Sequence, residues 1–238
     1  MNSVCMATYN GERYIREQIN SILSQIATDD EVIISDDGST DNTLQILNDI
    51  NDPRIHIYHN RTHWFQQNFQ NALLHAKGDI IFLSDQDDLW LPDKYQRCIK
   101  ELQTADLVCT NSMLTDEHLN ITNSDFFSIY HSGKGIIKNI LCNTYYGACM
   151  AFKRQIAQDA IPFPQSKEIG HDIWLGLVAE MTGTVRFIPK PYLLYRRHQN
   201  TTTNTLNLLR RSKRPLWKKI WGRMVIAFYV CKFKLQHG

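Results

Sequence analysis

Short apolar runs alternate with longer segments of helical hydrophobic spacing along the first half of the chain. The apolar runs predict β-strands at about 3–7, 31–35, 54–59, 79–84 and 105–111. The segments between them predict helices at about 12–25, 41–50, 64–76 and 92–103. Strands that alternate with helices of this length indicate an α/β fold with a mostly parallel sheet flanked by helices.

The second half of the chain has a weaker pattern. Residues 113–135 are rich in Ser, Asn, Thr and His with little periodicity, and we predict a long, partly mobile loop there. Beyond it, the sequence predicts a strand at 145–152, a helix at 171–182, a strand at 184–188 and a last short strand from Tyr192 to Arg197.

Acidic residues follow two of the predicted strands at the point where each strand ends. Asp85-Gln86-Asp87-Asp88 comes after the apolar run 80–84. Ligands of open α/β sheets bind outside the carboxyl ends of the strands. Clustered carboxylates repel one another unless a cation joins them, and Mg²⁺ or Mn²⁺ takes carboxylate and phosphate oxygens. This cluster therefore predicts a metal site, with an acidic turn before a helix near Pro92 as the alternative.

The other acidic corner is Ser35-Asp36-Asp37-Gly38-Ser39-Thr40-Asp41. Gly38 permits a tight turn, and Thr40 or Asp41 can cap the next helix. A strand-turn-helix corner needs only one acid, and two stand here. A carboxylate at a strand end can accept a hydrogen bond from a nucleobase N–H or a ribose hydroxyl. The corner predicts a nucleotide contact, with a purely structural turn as the alternative.

Three segments together resemble the motifs of the family 2 glycosyltransferases, which are inverting enzymes with the GT-A fold. They are Met6-Ala7-Thr8-Tyr9-Asn10-Gly11-Glu12, Ser35-Asp36-Asp37-Gly38-Ser39-Thr40-Asp41 and Asp85-Gln86-Asp87-Asp88-Leu89-Trp90. The chain is most similar to bacterial rhamnosyltransferase-type enzymes of surface polysaccharide synthesis. The resemblance implies a GT-A catalytic domain over about 1–200, followed by a separate segment at 201–238.

The resemblance also implies a nucleotide site. It places along the base and ribose the side chains of Thr8, Tyr9, Asn10 and Glu12. It places Asp37 on the base, where a uracil or thymine N3–H is a natural donor, while Asp36 either contributes or only fixes the turn. Trp64 stands where relatives often have glycine, so we expect either altered geometry near the nucleotide or ordinary core packing.

For the metal, the resemblance implies Mg²⁺ or Mn²⁺ held by Asp87, with Asp85 on the metal or the ribose and Asp88 as a less defined third acid. The segment Tyr195-Arg196-Arg197-His198-Gln199-Asn200 resembles a late Tyr-Arg-x-His segment of the family. It implies that His198 ligates the metal or bonds a phosphate and that an arginine binds the diphosphate. The alternative is a basic strand end on the surface.

Asp172 is the candidate catalytic base. Its surroundings, Ile169-Gly170-His171-Asp172-Ile173-Trp174, match the acid-Asp or His-Asp pair that opens a late helix in the family. The attacking hydroxyl must lose a proton, which a positioned carboxylate can accept. The alternative is an acid that only complements the helix dipole. The Gln-x-x-Arg-Trp segment of processive members is absent, which favours the addition of one sugar per encounter.

Charge is distributed unevenly along the chain. Residues 1–180 hold all 24 acids and 13 of the 26 Lys and Arg, a balance of −11, whereas residues 181–238 hold 13 basic residues and no acid. A helix starting near Pro215 is predicted to carry one apolar face, formed by Leu216, Trp217, Ile220, Trp221, Met224, Val225 and Phe228. Such a basic helix predicts peripheral contact with an anionic membrane surface. The alternatives are a helix packed on the acidic catalytic domain and a dimer contact.

The remaining features exclude other classes. The 238 residues, 43% hydrophobic, can bury one core, and no apolar stretch is long enough to span a bilayer. Six cysteines without a C-x-x-C pair, and a strand that begins within a few residues of Met1, predict a cytoplasmic protein, here peripheral to the inner membrane. The acidic first part opposes nucleic-acid binding. Two other functions are considered: a nucleotidyltransferase that forms nucleotide sugars, and a non-catalytic nucleotide-sugar-binding module.

Overall fold

The computed structural model describes residues 1–198 and 214–237. The predicted boundary between residues 200 and 201 falls outside these residues, as do Gln199, Asn200 and the basic run 210–213. The described residues form a mixed sheet flanked by helices, so the predicted α/β class is confirmed.

The strands of the sheet are β1 (Ser3–Thr8), β2 (Glu31–Asp36), β3 (Ile55–His59), β4 (Ile80–Ser84), β5 (Leu89–Trp90), β6 (Leu107–Thr115), β7 (Ile121–Asn123), β8 (Met150–Lys153) and β9 (Val185–Arg196). Their order is β3-β2-β1-β4-β8-β6-β9-β5, with β7 paired to β6. Adjacent strands in the run β3-β2-β1-β4 are parallel, as are β6 and β9. The β4–β8, β6–β8, β5–β9 and β6–β7 pairs are antiparallel.

The helices are α1 (Ile15–Leu23), α2 (Thr43–Ile50), α3 (Phe65–His75), α4 (Lys94–Leu102), α5 (Phe126–Tyr130), α6 (Ile136–Leu141), α7 (Arg154–Ala160), α8 (His171–Thr182) and α9 (Leu216–His237). Every residue of β1 and β2 is buried, as expected for parallel strands covered on both faces. This burial explains why their apolar runs were recognisable in the sequence. The helix predicted at 171–182 is confirmed by α8.

The prediction of a long loop at 113–135 is wrong. Strand β6 continues to Thr115, and β7 and α5 follow within the same segment. Polar residues of this segment are paired: Asp125 Oδ1 accepts from the Asn111 side-chain amide at 2.8 Å, and the buried Thr115 donates from its Oγ1 to the Tyr195 carbonyl at 3.5 Å. Because these partners come from distant segments, a polar composition that is typical of a loop here forms ordered structure.

Two further predictions need correction. The strand predicted at 145–152 is a 3₁₀ turn at Gly147–Cys149 followed by β8. The two late strands predicted around Pro189 and Pro191 are one strand, β9, whose pairing with β6 shifts register near the prolines. A proline lacks the N–H that a regular ladder requires, so the strand bulges there and then continues.

Helix α9 packs on the rest of the protein through Gly222, Ile226, Val230 and Phe233, which are buried. The Trp174 ring of α8 meets Tyr229 and Phe233 with centroid distances of 6.4 and 5.8 Å. Most of the predicted apolar face stays exposed, namely Leu216, Trp217, Ile220, Trp221, Met224 and Phe228. None of the helices in the described ranges is long and apolar enough to cross a membrane.

Candidate active site

A cleft of about 1520 Å³ opens beyond the carboxyl ends of β1, β2 and β4 and beside the start of α8. Its lining includes most of the predicted site residues: Thr8, Tyr9, Asn10, Asp37, Asp85, Asp87, Asp172 and His198. They come from five separate segments of the chain. The fold therefore brings the candidate nucleotide, metal and base residues to one cavity.

The two acids after β2 differ in their surroundings. Asp36 is fully buried, and its Oδ1 accepts hydrogen bonds from the backbone N–H groups of Gly38 at 3.1 Å and Ser39 at 2.9 Å. Its Oδ2 accepts from Thr8 Oγ1 at 3.0 Å. Asp37 lines the cleft, and its Oδ1 accepts from the His63 backbone N–H at 3.0 Å. Asp36 therefore fixes the turn that presents Asp37.

The loop after β1 is held by Gln86, a residue without a recognisable signal in the sequence. The backbone N–H of Tyr9 donates to Gln86 Oε1 at 2.9 Å, and Gln86 Nε2 donates back to the Tyr9 carbonyl at 3.0 Å. A Cβ at Gly11 would lie 2.5 Å from Gln86 Oε1, so a larger residue at this position would displace the Gln86 amide. The pair ties the predicted nucleotide loop to the acidic loop after β4.

Asn10 and Glu12 also hold the corner after β2. Asn10 has a left-handed backbone (φ 50°), and its Oδ1 accepts from the Thr40 N–H at 2.8 Å. Glu12 Oε2 accepts from Asn42, from the backbone N–H at 3.0 Å and from the side-chain amide at 2.8 Å. Glu12 is not part of the cleft lining. Its place at the start of α2 indicates support of the corner.

The acids in the loop after β4 also differ in their surroundings, as the two acids after β2 do. Asp88 is buried, and its Oδ1 accepts from the Arg196 backbone N–H at 2.9 Å, so it anchors the end of β9. Burial, together with the like charges of Asp87 and Asp172, raises the pKa of Asp85 to about 7. Asp87 Oδ2 lies 2.8 Å from His198 Nε2. Two of the three predicted metal ligands, which are distant in sequence, are thus in contact.

These residues suit a cation that protein and substrate hold together. In residues 1–198 and 214–237, no group of three or more His, Cys, Asp or Glu side chains is arranged to hold a metal ion by itself. Mg²⁺ commonly uses one or two carboxylates and completes its shell with water and substrate phosphates. Asp87 supplies such a carboxylate, with the His198 imidazole in contact with it. A cation beside them would counter the burial and the like charges that raise the pKa of Asp85.

Arg196, one of the two arginines in the segment that implied a diphosphate contact, lines the cleft and also supports the acidic loop. This side chain is buried, and it donates to the Asp87 carbonyl at 2.8 Å and to the Glu117 carbonyl at 2.9 Å. Its guanidinium also lies 4.6 Å from the centroid of the Tyr14 ring. Arg197 Nη2 donates to the Tyr130 hydroxyl at 2.6 Å. Arg196 therefore braces the acidic loop.

Asp172 lies in the first turn of α8, as predicted. Its Oδ1 accepts from the Ile173 N–H at 2.7 Å, and the Asn143 amide approaches its Oδ2 at 3.5 Å. A Cβ on Gly170 would lie 2.5 Å from Asp172 Oδ1, so only glycine leaves the carboxylate where it is. Burial raises the pKa of Asp172 to about 6. A carboxyl with this pKa is ionised at neutral pH and is a better proton acceptor than an ordinary Asp.

Other features of the site carry no local sequence signal. Lys94 is fully buried behind the acidic loop, where it donates to the Ala148 carbonyl at 2.6 Å and lies over the Trp90 ring. In the sequence it reads as a surface lysine on a helix. Helix α9 also contributes to the cleft lining, through Arg214 just before it and Lys218, Lys219, Gly222, Arg223 and Ile226 within it. The sequence predicted no cleft contact for this segment.

The model of the family described as Glycosyl transferase family 2 matches residues 3–160. This chain belongs to glycosyl transferase family 2. It is 31% identical over 217 residues to the dTDP-rhamnosyl transferase RfbG of Shigella flexneri, a match that covers 82% of this chain and 72% of RfbG.

Two further proteins are similar to this family 2 chain. It is 30% identical to the UDP-Glc:alpha-D-GlcNAc-diphosphoundecaprenol beta-1,3-glucosyltransferase WfaP of Escherichia coli, over 75% of this chain and 70% of WfaP. The structure of S. aureus TarS 1–349 in complex with UDP-GlcNAc matches with a TM-score of 0.68 at 21% identity, over 84% of this chain and 59% of that chain. This last similarity shows the GT-A fold. Several longer curated relatives are matched over only 11% to 34% of their length.

Proposed function

We propose that this family 2 protein is a metal-dependent, inverting glycosyltransferase. It moves one hexosyl or deoxyhexosyl group from a UDP- or dTDP-linked sugar to a glycan or lipid-linked acceptor, in cell-surface polysaccharide synthesis. The observation that carries the proposal is the convergence of Asp37, Asp87 and Asp172 on one cleft. The names of RfbG and WfaP support these two donor classes, and that of WfaP supports the lipid-linked acceptor.

The donor binds between the loops after β1, β2 and β4. Asp37 accepts the N3–H of uracil or thymine, and Thr8, Tyr9 and Asn10 lie along the base and ribose. Glu12 acts indirectly, since its carboxylate holds Asn42. Asp87 and His198 would hold Mg²⁺ or Mn²⁺ together with the donor diphosphate, with Asp85 on the metal or the ribose. The bound ion would offset the negative charge that develops on the departing diphosphate.

Asp172 carries out the proton transfer. Its carboxylate takes the proton of the acceptor hydroxyl while the hydroxyl oxygen attacks the anomeric carbon. The nucleoside diphosphate leaves from the opposite face, and the configuration inverts. Burial holds the pKa of Asp172 near 6, so the carboxylate is ionised before the reaction at neutral pH. The contact from Asn143 and the close approach of Gly170 fix the carboxylate in the cleft.

The tail, residues 201–238, is proposed to hold the catalytic domain, residues 1–200, on the cytoplasmic face of the inner membrane. Support comes from α9, whose Trp217 and Trp221 are 65% and 56% exposed. At about 100° per residue, they fall on the side of α9 opposite the buried Ile226 and Val230. Aromatic and basic residues on one helix suit the headgroup region of an anionic membrane.

The test is a donor screen with UDP- and dTDP-linked sugars, in which the release of nucleoside diphosphate is measured with Mn²⁺, with Mg²⁺ and in EDTA. We expect release from at least one donor that depends on the cation. A nucleotidyltransferase would instead release pyrophosphate from a nucleoside triphosphate and a sugar phosphate. A binding module would retain the nucleotide sugar unchanged. Either of these results would overturn the proposal.

A further inference from the structure

Two lysines of α9 line the cleft without an acidic partner. Lys218 is exposed and Lys219 half-buried, and both belong to the lining. The nearby acid Glu168 is already paired with Arg214 at 2.7 Å. Neither lysine forms an ion pair within residues 1–198 and 214–237, and the sequence between these ranges contains no acid. Two adjacent positive charges at the edge of a binding cleft favour an anionic ligand.

Helix α9 is fixed on the side of the cleft that carries Asp172. Arg223 Nε donates to the Leu141 carbonyl at 2.7 Å, and Asn143, two residues further on, approaches Asp172. A Cβ on Gly222 would lie 2.8 Å from Glu168 Oε2, so the helix comes close to the segment that leads into α8. The nucleotide loops belong instead to β1 and β2. A base must reach the attacking hydroxyl, so the acceptor enters on the Asp172 side.

We propose that Lys218 and Lys219 form a subsite for a phosphate or diphosphate group of the acceptor. The subsite rests on the proposed function, because that function is what brings a glycosyl acceptor to the Asp172 side of the cleft. A lysine ammonium binds phosphate as a compact point charge. The Lys218 ammonium also lies 5.3 Å from the centroid of the exposed Trp217 ring, which limits its orientations.

The position of α9 favours a phosphate that is carried on a lipid. The exposed apolar side of the helix and the side over the cleft are opposite each other, and a helix with its side chains is about 10 Å across. A helix lying at a membrane surface would therefore keep the two lysines at the depth of lipid phosphate groups. A soluble phosphorylated acceptor uses the same ammonium groups but does not need the membrane.

The test is calorimetry with decyl diphosphate, used below its micelle concentration, on the full chain whose donor site is saturated with UDP or dTDP and Mn²⁺. We compare the wild type with K218Q/K219Q and with the control K232Q/K234Q, whose exposed lysines lie on the same helix outside the cleft lining. We expect binding at least about tenfold weaker in K218Q/K219Q, the effect of losing one charge-assisted hydrogen bond, and no change in the control.

Several results would overturn the subsite. They are competition between decyl diphosphate and the nucleotide, equal weakening in both double variants, or unchanged binding in K218Q/K219Q. Inorganic pyrophosphate distinguishes the sources: equal affinity for it indicates a site for free or soluble phosphate, whereas tighter binding of decyl diphosphate supports the lipid-linked group. Nucleotide binding and donor hydrolysis are measured in the same variants, since a failure of the proposed function would appear there and not in the difference between the lysine pairs.

Discussion

Asp172→Asn tests the proposed base most directly, because it removes the proton acceptor and changes little volume. A positioned acid–base group contributes about 10² to 10⁴ in rate, and we expect the transfer rate to fall by about this factor. The amide oxygen of Asn can still accept from the Ile173 N–H, which now bonds to Asp172 Oδ1. The fold and the binding of nucleoside diphosphate are therefore expected to persist.

The same substitution is expected to stabilise the fold at neutral pH. Burial raises the pKa of Asp172 from 3.8 to about 6, so the folded state holds this proton more tightly than the unfolded chain does. At about 1.4 kcal/mol for each tenfold change in proton affinity, the ionised carboxylate costs the fold up to about 3 kcal/mol. Because the Asp172 side chain is only partly buried, we expect Asp172→Asn to raise the free energy of unfolding by about 1–3 kcal/mol.

The pH dependence gives the sign of this effect. The cost is absent while the carboxyl is protonated in both states, grows as the pH rises from about 4 to about 6, and is constant above that. Urea unfolding of both proteins in EDTA at about pH 4.5 and about pH 7.5 measures it, and the wild-type kcat/KM should fall below about pH 6.

An acid that only complements the helix dipole behaves in the opposite way. Such an acid stabilises α8, so its removal would destabilise the fold by about 0.3–1 kcal/mol and leave the transfer rate within a few fold of the wild type. An Asp172→Asn protein that is less stable than the wild type but retains a transfer rate within a few fold of it would therefore refute the reasoning. Reduced activity together with lost nucleotide binding would indicate a general distortion of the cleft.

Three further outcomes are expected. EDTA should abolish transfer, Mn²⁺ or Mg²⁺ should restore it, and Asp87→Ala should lose metal-dependent nucleotide binding in calorimetry; full activity of Asp87→Ala in EDTA would contradict the metal site. Gly170→Ala would bring a Cβ within 2.5 Å of Asp172 Oδ1 and should lower kcat by about 100-fold, the cost of a displacement of about 1 Å, while nucleotide affinity stays unchanged. The double variant W217S/W221S should co-sediment less with phosphatidylglycerol vesicles than the wild type and keep its Tm, because both rings are exposed; equal co-sedimentation would argue against membrane contact through this face.

The first half of the fold was predictable because its signals are local. Strands β1, β2 and β4 are buried, so each is a short apolar run, and each ends at a polar corner within a few residues. The motifs at these corners contain Asp37, Asp85 and Asp87, which line the cleft. Their roles toward nucleotide and metal remain predictions.

The other parts of the site depend on partners that are distant in sequence. Gln86 looks like a spacer between two acids until its hydrogen bonds to Tyr9 are seen. The segment 113–135 looks like a loop in the sequence, because the partners of its polar side chains, such as Asn111 for Asp125 and Tyr195 for Thr115, lie outside it. A hydrophobic pattern reports burial through composition and cannot detect a polar side chain that is buried with its hydrogen bonds satisfied.

Helix α9 shows why a hydrophobic face alone does not identify its partner. The broad face predicted from the sequence is mainly exposed, whereas the narrower set Gly222, Ile226, Val230 and Phe233 packs on the protein. Packing on the domain and membrane contact are therefore not exclusive, because they use opposite sides of one helix. A chain ending before Asn204 would uncover Trp174 as well as remove the membrane face, so its loss of vesicle binding would not separate the two roles. Substitutions confined to exposed residues such as Trp217 and Trp221 do separate them, since they leave the packed side intact.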